Sequence, residues 1–177
     1  RRRKQVSLTF RGDGLHKVDG KGRVSIPAGF RRVLEAGDPE WEPGRAPRVA
    51  IAHGDRDNRR LECFPIVEIE RIARTIRRMP KRSDAYRLLT RLYSRDVIDT
   101  TLDDNGRIVL SQALRERFGI KGEARFVAAL EKFEIWSPDI YAEEEARVEE
   151  LFDELGDEDP LSLLDAFDED VETGGTA

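Results

Sequence analysis

Lys21 and Arg23 flank Gly22 in the stretch Val18-Asp19-Gly20-Lys21-Gly22-Arg23-Val24-Ser25-Ile26-Pro27. Their types and spacing suit a charged hairpin turn that could meet phosphate. Glycine lets the backbone bend sharply and leaves no side chain to hold a large ligand away. An arginine just beyond the bend can offer its planar fork of donors to phosphate or to the O6/N7 edge of guanine. Asp19, four residues before Arg23, can accept hydrogen bonds from the turn and pair with the guanidinium, which fixes its direction. The same residues also permit a plainer reading, in which Asp-x-x-Gly-Arg only staples a hairpin and Asp19 neutralises Arg23. Spacing alone does not separate the two.

The frame recurs 84 residues later as Leu102-Asp103-Asp104-Asn105-Gly106-Arg107-Ile108-Val109-Leu110-Ser111. Phe30-Arg31 follows the first copy and Leu114-Arg115 the second. A repeat of this length means two similar small units in one polypeptide, with function expected on the surface they share. Charge is divided unevenly along the chain. Residues 1–136 hold 30 Lys and Arg against 20 Asp and Glu, whereas residues 137–177 hold 16 acidic residues and one basic one, Arg147. A basic body attracts polyanions at long range, whatever the overall net charge of −5 suggests.

Other chemistries find little support. Cys63 is the one cysteine, which excludes an internal disulfide and a multi-cysteine zinc site; in Leu61-Glu62-Cys63-Phe64 it reads as a buried, inert thiol. The two histidines have no partners at metal-ligand spacing. Gly20-Lys21-Gly22 lacks the Walker pattern, no Gly-x-Ser-x-Gly occurs, and His53-Gly54-Asp55 reads as a turn. No enzyme, cofactor, metal or small-molecule substrate is expected. No apolar run is long enough to span a membrane and no signal peptide opens the chain, so a cytoplasmic protein is expected. The start Arg1-Arg2-Arg3-Lys4, without Met, reads as a trimmed end.

The elements that must position the turns follow from periodicity. Alternation over Val6–Phe10 predicts a strand, Gly12-Asp13-Gly14 a turn, and Leu15–Val18 a second extended piece. Asp19–Gly22 is a turn with two glycines free to take positive φ, and Val24-Ser25-Ile26 alternates again. Pro27 opens a helix whose face is Phe30, Val33 and Leu34. A loop covers 37–47, and strands are predicted at Arg48–Ala52 and Arg60–Phe64. One helix follows Pro65 and ends at Met79-Pro80. Ser83 caps another, with Ala85, Leu88, Leu89 and Leu92 on one face. The polar faces of these two helices are arginine-rich, either lining a phosphate-facing surface or simply solvated. The second unit repeats the order: strands at Val97–Leu102 and Arg107–Leu110, a helix stopping at Gly119, then strands at Arg125–Leu130 and Lys132–Trp136. Leu61–Phe64 and Phe133–Trp136 correspond at an offset of 72, which places about 12 extra residues in the Gly/Pro-rich loop of the first unit. A helix runs from Pro138 to Leu155. Leu161, Leu164 and Phe167 form a short amphipathic patch, and the tip reads as disordered.

The segment from His16 to Pro27, followed by Phe30-Arg31-Arg32-Val33-Leu34, resembles the DNA-binding core of the AbrB/SpoVT family. Two copies in one chain, with Ala85–Leu92 between them and Lys132-Phe133-Glu134-Ile135-Trp136 after them, resemble the MraZ family of transcriptional regulators. The resemblance covers roughly residues 6–155. It implies an α+β fold of two SpoVT/AbrB-like swapped-hairpin β units, pseudo-symmetrically paired in one chain with connecting and C-terminal helices. The domains expected are repeat 1 (6–64), linking helices (65–95), repeat 2 (96–136), a C-terminal helix (137–155) and an acidic tail (156–177). It further implies a ring-like homo-oligomer and nucleoid association. The chain would bind double-stranded DNA at upstream direct repeats and repress the division and cell-wall gene cluster. The family's basic DNA-contacting positions fall on His16, Lys17, Arg23, Arg31 and Arg32, to which Lys21 is added from its place on the turn. His16 stands where AbrB-like members carry Arg, and a neutral imidazole attracts phosphate weakly near pH 7. The second copy offers Thr100, Thr101, Asn105, Arg107, Arg115 and Glu116, so only Arg107 and Arg115 remain basic and that copy looks weakened for DNA. The alternative is an AbrB-like antitoxin or protein-interaction scaffold with incidental DNA binding. The acidic tail could then dock a partner, cover the basic body or merely solubilise the chain.

Overall fold

Every hairpin of one repeat completes its hydrogen bonding on the other. The computed structural model describes residues 8–165 and 167. Its first unit reaches Tyr141 and its second begins at Ala142. In the first, β1 (Asp13–Lys17), β2 (Arg23–Ser25), α1 (Ala28–Ala36), β3 (Arg48–Ala52) and β4 (Arg60–Phe64) form repeat 1. Then come α2 (Ile66–Arg77), α3 (Asp84–Thr90) and a π-helical turn (Arg91–Arg95). Repeat 2 follows as β5 (Val97–Thr101), β6 (Arg107–Val109), α4 (Gln112–Arg117), β7 (Glu123–Ala129) and β8 (Lys132–Trp136), with α5 (Pro138–Leu155) after it.

Six strands make an antiparallel sheet in the order β1-β7-β8-β4-β3-β5. The first strand of each repeat is exchanged: β1 lies on β7 with His16 opposite Ala124, and β5 lies on β3 with Ile98 opposite Ile51. β2 and β6 pair only with each other, Val24 opposite Ile108. The α+β fold of two swapped-hairpin units is therefore observed. Their separation is prevented by one common core, in which Val24, Ile26, Phe30 and Leu34 meet Ile108, Leu110, Phe118, Phe126 and Phe133. Phe10, Phe30 and Phe133 stand within 5.0–5.3 Å of one another. Such ring contacts contribute about 0.5–1.5 kcal/mol each beyond buried area. A second cluster forms where Ala50, Ala52 and Phe64 turn the other face of the sheet toward Ile66 and Ile69 of α2.

The loop after α1 is anchored by an ion pair that sequence reading did not identify. Asp38, almost wholly buried, accepts from the Arg48 backbone N–H at 3.0 Å and from its guanidinium at 2.6 and 3.1 Å. The Arg48 side chain holds the Asp38 carboxyl below its ordinary range, against the opposing effect of burial.

Several expectations need correction. Of the strand over Val6–Phe10, Val6 and Ser7 lie outside the described residues, and only Phe10 bridges, to Leu130. Core packing of its ring, not ladder pairing, places this segment. Asp13 and Gly14 are no turn: they open β1, opposite Val127 and Phe126, and Gly12 alone bends at φ 93°. Only one of the two turn glycines, Gly22, takes positive φ. The apolar face of α3 is not core, since no residue of α3 is buried and Leu88 is 57% exposed. Contact with the sheet is made instead from the π turn that follows, where Tyr93 packs on Phe64. In the second unit Leu151, Phe152, Leu161, Leu164 and Phe167 are all exposed. The tip at 172–177 lies outside the described residues. Among the described residues no helix is long and apolar enough to cross a membrane.

Candidate nucleic-acid interface

The two Asp-x-x-Gly-Arg turns have the same internal wiring. Asp19 Oδ1 accepts from the backbone N–H groups of Lys21 and Arg23, both at 2.9 Å, and its Oδ2 accepts from Arg23 Nε at 2.6 Å. Asp103 accepts from Asn105 and Arg107 at 2.8 and 2.9 Å and from Arg107 Nε at 2.8 Å. The backbone N–H of Arg23 is the chief reason that the Asp19 carboxyl sits below its usual range, with the Arg23 side chain next. The Arg107 N–H does the same for Asp103. One ionised carboxylate thus closes each turn and aims one guanidinium. It engages only Nε, and the two terminal nitrogens of Arg23 and Arg107 make no hydrogen bond among the described residues.

Each turn is then locked by the opposite repeat. Leu110 N–H donates to Gly22 O at 2.8 Å, and Ile26 N–H donates to Gly106 O at 2.9 Å. Gly22 (φ 81°) and Gly106 (φ 71°) hold backbone angles that L residues seldom adopt. They also leave room for the partner repeat. A Cβ on Gly22 would collide with the Leu110 carbonyl oxygen and approach Arg115 Nε at 3.0 Å. A Cβ on Gly106 would collide with the Arg31 guanidinium. The α1 arginine therefore lies over the second turn, and the α4 arginine, whose Nε donates to Leu110 O at 3.0 Å, lies by the first.

On the β2–β6 ribbon Val24 and Ile108 point into the core, while Arg23, Ser25, Arg107 and Val109 face outward. The Arg23 and Arg107 side chains are 38% and 29% exposed. Lys21, Arg23 and Arg115 gather at the first turn, and Arg31 and Arg107 at the second. Lys17 is exposed at the end of β1, opposite Glu123, and Arg32 is exposed on α1. His16 is placed differently from Lys17. Alternation along β1 turns it to the opposite side from Lys17, edge-on to Phe126 at 5.0 Å, and burial lowers its pKa. The crossed placement of Arg31 and Arg115 escaped sequence reading. Its signal was the common spacing, nine residues from Gly22 to Arg31 and nine from Gly106 to Arg115. Among the described residues no group of three or more His, Cys, Asp or Glu stands close enough to hold a metal ion.

Comparison with known proteins gives one consistent result. A family model described as "MraZ protein, putative antitoxin-like" matches residues 98–159. A protein of Ruegeria sp. (strain TM1040) named transcriptional regulator MraZ is 47% identical over 158 residues, 88% of this chain and 95% of the relative. The protein of the same name from Ruegeria pomeroyi is 44% identical over 162 residues, covering 90% and 97%. That of Cereibacter sphaeroides (strain KD131) is 47% identical over 167 residues, covering 90% and 98%.

Proposed function

The chain belongs to the MraZ family, and from that premise we propose that it regulates transcription by binding duplex DNA through its cross-locked turns. The observation that carries this reading is the fixed, outward Arg23, which Asp19 holds at Nε and whose terminal nitrogens make no hydrogen bond among the described residues. A guanidinium pre-aimed in this way loses little side-chain freedom on meeting phosphate or guanine. Lys17, Lys21, Arg23, Arg31 and Arg32 form the principal contact set, with Arg107 and Arg115 as the lesser set of the second repeat and His16, turned to the other side of β1, outside it.

Repeat 1 (6–64) supplies the binding turn, repeat 2 (96–136) mainly completes the fold, and residues 65–95 link them. Several copies in a ring would raise the effective concentration of each weak turn along spaced direct repeats. The output is repression of the division and cell-wall gene cluster. No reaction is assigned to the protein, which acts by binding. The test is a gel-shift titration on the chain's own upstream region, with circular dichroism as the control for folding. Arg23→Ala is expected to abolish the shift and keep the spectrum; unchanged affinity in a folded variant refutes the assignment. A second reading, a protein-docking role of the antitoxin kind, is favoured by the exposed Leu151, Phe152, Leu161 and Leu164 of the second unit.

A further inference from the structure

We propose that the cleft between the 53–59 loop, α3 with its π turn, and the end of α4 binds a small phosphorylated molecule with an apolar or aromatic body, a nucleotide in chemical class. The cleft encloses about 610 Å³, within the range of ordinary ligand sites. Four guanidiniums line it, those of Arg56, Arg60, Arg91 and Arg117. Arg60 lies 3.1 Å from Glu134 and Arg91 lies 3.3 Å from Asp96, so these two are balanced. The other two are not. Arg117 is held by neutral groups: its Nε donates to Asn58 Oδ1 at 2.6 Å and its plane lies 5.2 Å from the Phe118 ring. Arg56 meets no carboxylate among the described residues.

The carboxylates that line the cleft, Asp55 and Glu62, form no ion pair with Arg56 or Arg117. Asp55 Oδ2 already accepts the backbone N–H groups of Arg59 and Arg60, and Glu62 is taken by Lys132. Guanidiniums without an ion-pair partner, one of them held in place by Asn58, are what an anion site requires. The opposite wall is apolar: exposed Leu88 of α3, with Leu92 and Tyr93 of the π turn. That wall suits the body of the ligand, and the arginines suit its phosphate. Helix α4 connects the two regions of the protein, since Arg115 lies by the first turn and Arg117 in the cleft.

Calorimetric titration of the full chain, free of DNA, with ADP, inorganic pyrophosphate and adenosine tests this. Saturable binding of ADP is expected, with adenosine at least tenfold weaker. The Arg56→Gln/Arg117→Gln variant should weaken ADP and pyrophosphate at least tenfold, and Arg78→Gln/Arg82→Gln should change neither. Leu88→Glu should weaken ADP more than pyrophosphate. Should the double variant fail to fold, Arg56→Gln alone is expected to weaken ADP about threefold or more. Absence of saturable binding, or equal losses in the Arg78/Arg82 control, overturns the proposal. So does an equal loss of duplex affinity in the Arg56/Arg117 variant, which would make the cleft part of a DNA surface. Loss of DNA binding by Arg23→Ala with ADP binding intact leaves both readings standing. Failure of either titration condemns only its own reading.

Discussion

Replacing the two turn glycines by alanine separates the physics of the crossed hairpins. Both glycines adopt positive φ, which costs an alanine about 1–2 kcal/mol. What the new methyl meets differs. At Gly22 the nearest atom is the carbonyl oxygen of Leu110, part of the backbone of the other repeat. To relieve that clash, the bond from Leu110 N–H to Gly22 O must open, and the bond from Arg115 to Leu110 O must shift. Leaving such buried groups unpaired adds about 1–3 kcal/mol. Gly22→Ala should therefore cost about 2–5 kcal/mol, a large share of a domain stability of about 5–15 kcal/mol. At Gly106 the three nearest atoms all belong to the Arg31 side chain, which can swing away. Gly106→Ala should cost only the backbone strain, about 1–2 kcal/mol, and should displace a proposed DNA contact. Urea unfolding followed by circular dichroism measures the first quantity and gel shift the second. Equal losses of stability, or a Gly22→Ala cost within about 1 kcal/mol of wild type, would refute the claim that the opposing backbone locks the turn.

Arg107→Ala should reduce operator affinity less than tenfold where Arg23→Ala abolishes it, since the second turn carries Asn105 where the first carries Lys21; paired gel shifts decide. Neutralising Lys17 or Lys21 should each reduce the slope of log affinity against log salt by about 0.9, read from titrations at several salt concentrations. Asp38→Asn should cost about 3 kcal/mol near neutral pH by leaving Arg48 without its buried partner. Because the folded carboxyl titrates below its unfolded value, its stabilisation is full above the ordinary carboxylate range and is lost as pH falls through and below it. Urea unfolding at pH 7 and pH 3 should therefore show the variant's deficit shrinking in acid. His16 has a depressed pKa, so the unfolded chain takes up its proton first and stability falls as pH drops below about 6.5. His16→Phe should remove that component from thermal melts between pH 7 and pH 5.

Much of this protein is written locally. Proline before a helix, glycine after one, and alternation in strands depend on neighbours a few residues away. That is why Pro27, Gly119 and the strand pairs Arg48–Ala52 with Arg60–Phe64 and Arg125–Leu130 with Lys132–Trp136 were legible in the chain and agree with the observed elements to within two residues. The duplicated Asp-x-x-Gly-Arg frame likewise exposed two pseudo-equivalent turns and their arginines. Three features were not legible, because each depends on partners far away in sequence. The Asp13–Gly14 strand exists only because β7 lies beside it. The α3 face has the apolar period of a packed helix, yet none of its residues is buried and Leu88 is largely exposed. His16 and Lys17 are adjacent in the chain but face opposite sides once β1 is paired. The sequence by itself determined the elements, the repeat and the charge carried on each turn. Only the tertiary structure decided that α1's arginine serves the second turn and α4's arginine the first. Strand exchange between repeats brings residues 75 and 93 positions apart into contact, a choice made by core burial and hydrogen bonding across the whole fold rather than by any local preference.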